Sequence, residues 1–136
     1  MVKETLADIV AAHGRWLRGE PNGARAKLDH ANLSGLDLKG WNLREASLRE
    51  ADLSEADLTG ADLSHANLSG ANLRGVDLFG ADLSEADLSQ ADLREVVFEG
   101  ANLDGADIWR ANLHGAIIDP KTLHRLLRCV MPKATT

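Results

Sequence analysis

Leucine recurs at every fifth position from 28 to 93, and Phe98, Leu103, Ile108, Leu113 and Ile118 continue the series. A large apolar residue therefore stands at the centre of nineteen consecutive five-residue units spanning 26–120. Two places before it comes a small residue, alanine in most units, replaced by Leu36, Trp41, Val76 and Val96. Asp or Asn lies between the two in most units, and the fourth and fifth places favour Ser, Arg, Gly and Glu. A period of five fits neither ordinary element. On an α-helix, at roughly 100° per residue, successive leucines rotate by about 140° and scatter around the cylinder. In a flat strand an odd period sends alternate leucines to opposite faces. Both columns stay inside only if the chain bends once per unit, running β-like from the small residue to the large one. That predicts an all-β solenoid.

The pattern changes at both ends, where a solenoid needs its exposed core and strand edges covered. Leu6, Ile9, Val10, His13, Trp16 and Leu17 follow helical spacing; Thr5 and Asp8 stand as a capping box, and Gly19-Glu20-Pro21 ends the helix. Trp16 and Leu17 are expected to cover Leu36 and Trp41 of the first coil, with His13 as a packing or hydrogen-bonding cap residue. After the units, Asp119 suits an N-cap, Pro120 a first helical position, and Leu123, Leu126, Leu127 and Val130 one apolar stripe before Pro132. His124, Arg125 and Arg128 take the outer side. The expected organisation is an N-terminal capping helix and turn over 1–25, the solenoid over 26–120, and a C-terminal capping helix and tail over 121–136.

Units such as Ala51-Asp-Leu-Ser-Glu, Ala61-Asp-Leu-Ser-His and Ala101-Asn-Leu-Asp-Gly resemble the repeat of bacterial pentapeptide-repeat proteins. The resemblance covers all nineteen units. It implies a right-handed quadrilateral β-helix in which four units make one coil, to which the residues at the two ends add an α-helical cap each. Leu53, Leu58, Leu63, Leu68, Leu73, Leu78, Leu83, Leu88 and Phe98 then form its structural core.

Composition narrows the chemistry. The net charge of -6 opposes direct nucleic-acid binding, which needs Lys and Arg against phosphates. The single Cys129 cannot form an internal disulfide, and no Cys/His cluster has zinc spacing. A reduced, cytoplasmic setting is expected. The longest apolar run near the start, Ile9-Val10-Ala11-Ala12, is too short for a signal sequence or membrane span. No nucleophile, base and orienter stand in a recognisable order and no Gly-rich phosphate loop is present, so neither an enzyme nor a cofactor is expected. The glycines fall mostly in the fifth place, where a tight bend favours a residue without Cβ.

What remains is surface. Across 26–120 there are eighteen acidic and seven basic residues. Sorting units by fours stacks Asp37, Asp57 and Asp77 on one wall with Glu99 and Asp119, opposed by Lys39; a neighbouring wall carries Asp62 and Asp82. Phe79, Val97 and Ile117 point outward on the first of these, Ile117 with the alternative of lying under the final helix, and Trp109 on another. The leading expectation is a rigid non-enzymatic scaffold that presents this acidic face to a protein, as a monomer or a C-terminal homodimer. Two alternatives stand beside it. Some relatives of the resembled family mimic DNA and protect bacterial type II topoisomerases such as gyrase, acting as dimers joined through their C-terminal ends. The Asp37/Asp57/Asp77 ladder is also a candidate for weak divalent-cation binding.

Overall fold

The computed structural model describes residues 4–130, with side chains up to residue 127. The side chains of Arg128, Cys129 and Val130, and all of Pro132, lie outside the described residues. Two helices flank the repeats: α1, Leu6–Leu17, and α2, Pro120–Val130. Between them, single-residue parallel bridges run from Lys27↔Ser47 to Val97↔Ile117, each joining residues twenty positions apart. Four units therefore make one coil, and the column is built of four stacked walls. We number the walls by their first units, 26–30, 31–35, 36–40 and 41–45. Each unit adds one bridged residue per layer rather than a continuous strand.

The reason for the five-residue grammar is visible in where each backbone N–H goes. In the unit 51–55 the Leu53 N–H reaches up to the Asn72 carbonyl (2.8 Å) and the Glu55 N–H to the Arg74 carbonyl (2.9 Å). The Asp52 N–H reaches down to the Ala31 carbonyl (2.9 Å), and the next unit's Ala56 N–H closes the bend on the Leu53 carbonyl (3.0 Å). Only the fourth-place N–H lacks a backbone acceptor, and the Asp52 side chain takes it: Ser54 N–H donates to Oδ1 at 3.0 Å. The Asp or Asn of the second place is thus a structural acceptor.

The fifth place turns left-handed in every unit but the last, whose Pro120 opens α2. From residue 30 to residue 115 its φ lies between 54° and 74°, at nine glycines and at nine other residues including Glu50, Glu85 and Arg110. A side chain there costs about 1–2 kcal/mol, so half the bends are held against strain by the coil bonds around them. Inside, Leu48 to Leu93 have no exposure, with Val76 and Val96 equally enclosed in the small-residue column and Phe98 nearly so. That run contains Leu53, Leu58, Leu63, Leu68, Leu73, Leu78, Leu83 and Leu88.

The helices dock differently from the sequence expectation. The capping box forms as read, with the Thr5 and Asp8 side chains accepting each other's N–H. His13 is fully buried and bonds the column with both ring nitrogens: Nδ1 accepts the Ala26 N–H (2.9 Å), and Nε2 sits 2.8 Å from the Arg44 carbonyl. Those bonds fix the helix so that Leu6, Ile9 and Val10 pack on the core. Leu36, expected under Trp16 and Leu17, is not covered. Trp16 and Leu17 line a side cleft, Trp16 stacked on His13 with centroids 5.7 Å apart, and Leu36 is left 38% exposed while Trp41 packs partly against the core. In α2 the single apolar stripe is also corrected: Thr122 and Leu126 are buried, whereas Leu123 and Leu127 are 40% and 47% exposed.

Candidate functional site

Fifteen units repeat the side-chain bond from second-place Asp or Asn to fourth-place N–H, at 2.9 to 3.2 Å. Nine of the acceptors are Asp and six are Asn. Both types hold the turn equally, so the bend needs the oxygen and not the charge. The hydrogen bonds do act on the charge: the carboxyls of Asp52 and Asp57 are held below the usual range, chiefly by bonds from Ser54 and Thr59, and that of Asp92 chiefly by Arg94. In each case desolvation works the other way.

The walls use that freedom unequally. On wall 3 all three acceptors, Asp37, Asp57 and Asp77, are acidic and bridged in consecutive layers, whereas the other walls mix Asp with Asn. Lys39 approaches Asp57 at 3.4 Å. Wall 4 carries Asp62 and Asp82 between Asn42 and Asn102, and each of the two carboxylates accepts a serine hydroxyl as well as an N–H. Wall 3 also changes character with height: above Asp77 the bridged residues are Val97 and Ile117, with Phe79 and Glu99 beside them. Phe79 is 54% and Ile117 55% exposed, and Val97 is half-buried. Ile117 is not covered by α2.

Sequence reasoning missed three features. The first is the cleft of about 520 Å³ where Trp16, Leu17 and Arg18 meet Asn42, Arg44, Glu45 and Asp62. It depends on the docking angle of α1, which no local pattern encodes. The second is the outward pair Leu123 and Leu127, hidden in a helical pattern that reads as one stripe. The third is Arg110, whose guanidinium lies 4.6 Å from the centroid of the exposed Trp109 ring; the adjacency of the two residues was the available signal. Among the described residues no three His, Cys, Asp or Glu side chains are placed to hold a metal ion. Each ladder carboxylate commits its Oδ1 to a turn N–H, and with no convergent ligand set among the described residues the cation reading is withdrawn. No helix among the described residues is long and apolar enough to cross a membrane.

A family profile of pentapeptide repeats, in eight copies, matches residues 42–80, 56–94 and 81–118. None of the curated proteins matches the chain. Among solved structures, the pentapeptide repeat protein Rfr23 from the cyanobacterium Cyanothece 51142 is 38% identical, covering 70% of this chain and 62% of its own, with a TM-score of 0.47. A pentapeptide repeat protein from the Arabidopsis thaliana thylakoid lumen is 28% identical over 74% of this chain and 73% of its own, at 0.35. QnrB1, a plasmid-mediated fluoroquinolone resistance protein, is 20% identical over 68% and 59%, at 0.44. The chain thus spans less than two thirds of the length of Rfr23.

Proposed function

The chain belongs to the pentapeptide-repeat family, and from that premise we propose that it is a non-enzymatic scaffold for a protein partner. In this reading the column is a right-handed β-helix capped by α1 and α2, and its rigid walls present side chains without rearranging. The observation that carries the reading is the charge that the turns do not need. Asn performs the same bond six times, yet wall 3 uses Asp at all three acceptor positions, stacked one layer apart. Like charges in register oppose folding. Their concentration on one wall is accounted for by a basic surface that meets them.

Asp57→Asn/Asp77→Asn tests this, because it removes charge while keeping the turn acceptor. Affinity capture from lysate of the source organism, followed by titration of the purified partner, should show one specific protein lost or weakened with the double variant. Equal binding by both forms would sink the acidic-face reading. Phe79, Val97, Glu99, Asp62 and Asp82 complete the candidate partner-binding set.

A second reading is mimicry of duplex DNA toward a type II topoisomerase. It draws on where the acid sits: 26–45 hold three acidic and three basic residues, and 46–120 hold fifteen acidic and four basic. A gyrase supercoiling assay with and without a quinolone decides it, and unchanged activity at micromolar protein removes it. A C-terminal homodimer would use Leu123 and Leu127, the two exposed leucines of α2.

A further inference from the structure

Val97 and Ile117 are the two apolar residues among the nineteen second-place positions. They occupy consecutive layers of wall 3 and are bridged to each other. Neither can accept the turn N–H that Asp and Asn accept elsewhere. One layer below, the Phe79 N–H donates to Asp77 Oδ1 at 2.9 Å, whereas the Glu99 N–H finds no acceptor among the described residues. The wall has therefore given up that structural bond at Val97, and one layer above it Ile117 likewise displays a β-branched side chain in place of an acceptor. Phe79 extends the apolar surface downward, and its ring reaches the next layer, where a Cβ on Gly100 would lie 3.9 Å from Cε2. Below it Asp77, Asp57 and Asp37 continue the same ladder; Lys39 pairs with Asp57, and no salt bridge among the described residues engages Asp37 or Asp77.

Along its bridged positions the wall thus changes from acidic, Asp37 to Asp77, to apolar, Val97 and Ile117, with Phe79 at the junction and Glu99 and Asp119 flanking the apolar pair. Its layers are about 4.8 Å apart, close to the rise of about 5.4 Å per helical turn. Side chains spaced one turn apart on a helix lying along the column would meet successive layers from Asp37 to Ile117. The acidic half selects a basic occupant, and a second copy of this chain would bring carboxylates against carboxylates. We propose that wall 3 docks an amphipathic helix of a protein partner, apolar over Phe79, Val97 and Ile117 and carrying Lys or Arg over Asp77, Asp57 and Asp37. This rests on the scaffold reading above and names the kind of partner that the scaffold takes.

The test uses the full chain and a synthetic, fluorescein-labelled helical peptide. Its apolar half has Leu at one-turn intervals, its other half has Lys at one-turn intervals on the same face, and a control peptide of equal composition puts Leu and Lys on opposite faces. Anisotropy should give micromolar, salt-sensitive binding of the first peptide and none of the control. Val97→Asn/Ile117→Asn should weaken binding about tenfold or more, as expected for loss of a central apolar anchor. The same variant should melt no earlier than the parent, because Asn restores the missing acceptor; weakened binding is then not unfolding. Absence of saturable binding, equal binding of the control peptide, or unchanged affinity in the Asn variant overturns the helix dock. If affinity is unchanged in that variant but falls in Asp57→Asn/Asp77→Asn, the helix dock is overturned and the acidic-face reading stands.

Discussion

At the N-terminal end of the column the capping helix is held by hydrogen bonds, and at the C-terminal end, among the described residues, by buried Thr122 and Leu126 and an N-cap. His13 spends both ring nitrogens on the backbone of Ala26 and Arg44, and beneath it Leu28, Leu33, Leu38 and Leu43 are buried. At the other end Leu126 is buried, and Asp119 accepts from Thr122 N–H (3.0 Å) and Thr122 Oγ1 (2.6 Å). The column under α2 is less enclosed: Ile108, Leu113, Ile118, Ala111 and Ala116 are only partly buried. A directional anchor fixes where α1 sits and buries the leucines of the first coil beneath it. At the other end the anchors lie in the first turns of α2, and the last coil stays partly open.

The largest effect that separates the two ends from the middle is cavity formation. Leu68→Ala, in a fully enclosed layer, should cost about 3–5 kcal/mol in urea unfolding. Leu113→Ala, in the partly open last coil, should cost about 1–2 kcal/mol, because solvent already reaches the site and the gap can relax. Equal losses would mean that the top coil is as tight as the middle, and the contrast between the ends would fail.

Next in size is the polar anchor itself. His13→Ala leaves the Ala26 N–H and the Arg44 carbonyl without their partner, and should lose about 2–4 kcal/mol. The histidine also predicts a pH signature. Burial, with the Arg25 charge in support, holds its imidazole below the ordinary range against the Arg44 carbonyl and Glu45, which act in the opposite direction. The unfolded chain binds the proton more readily, so the stability from His13 is complete above the unfolded value of about 6.5. It is lost as pH falls through the depressed folded value, since Nδ1 cannot then accept from Ala26. Thermal midpoints of the parent should drop over that range, and those of His13→Ala should stay flat there. Both proteins should fall again at lower pH. The Asp52, Asp57 and Asp92 carboxylates are also depressed, and their stabilisation, present above about 3.9, goes as they are protonated.

The difference between the ends also marks where sequence reasoning stopped. The solenoid was legible because a period of five excludes helix and flat strand, and the bending place was legible from glycine. That nine other residues take the same left-handed bend was not, since strain held by coil-to-coil bonds leaves no trace in composition. The stripe on α1 was legible, but its register was not. His13 bonds Arg44 thirty-one positions away, and that long-range contact, not the local pattern, turns Leu6, Ile9 and Val10 inward and Trp16 outward. In α2 the Thr122 hydroxyl serves Asp119 and is drawn onto the column, which turns Leu123 and Leu127 away. For wall 3 the stacking of Asp37, Asp57, Asp77, Val97 and Ile117 followed from counting by fours. The missing turn bond at Val97 and Ile117 needed the hydrogen-bond pattern.

The two N-caps sharpen the comparison at a smaller scale. Thr5→Ala removes one side of an exposed capping box and should cost about 0.5–1 kcal/mol. Asp119→Ala should cost more, about 1–2 kcal/mol, because that carboxylate also accepts from the Gly100 backbone and so ties α2 to the coil below. Equal costs by chemical unfolding would show that the tie to the column adds nothing to the cap.

The smallest expected effect concerns what the looser end is for. Leu123 and Leu127 face away from the core, so Leu123→Ser/Leu127→Ser should change the stability of an isolated molecule by no more than about 0.5 kcal/mol. If two copies meet through this end, the same variant should shift sedimentation from dimer to monomer at micromolar concentration while leaving the melting of dilute protein unchanged. His13→Ala should leave any such assembly intact, since it acts at the opposite end. A monomer at every concentration in the parent would remove the C-terminal homodimer. The openness of the last coil would then reflect only how its own residues pack under α2.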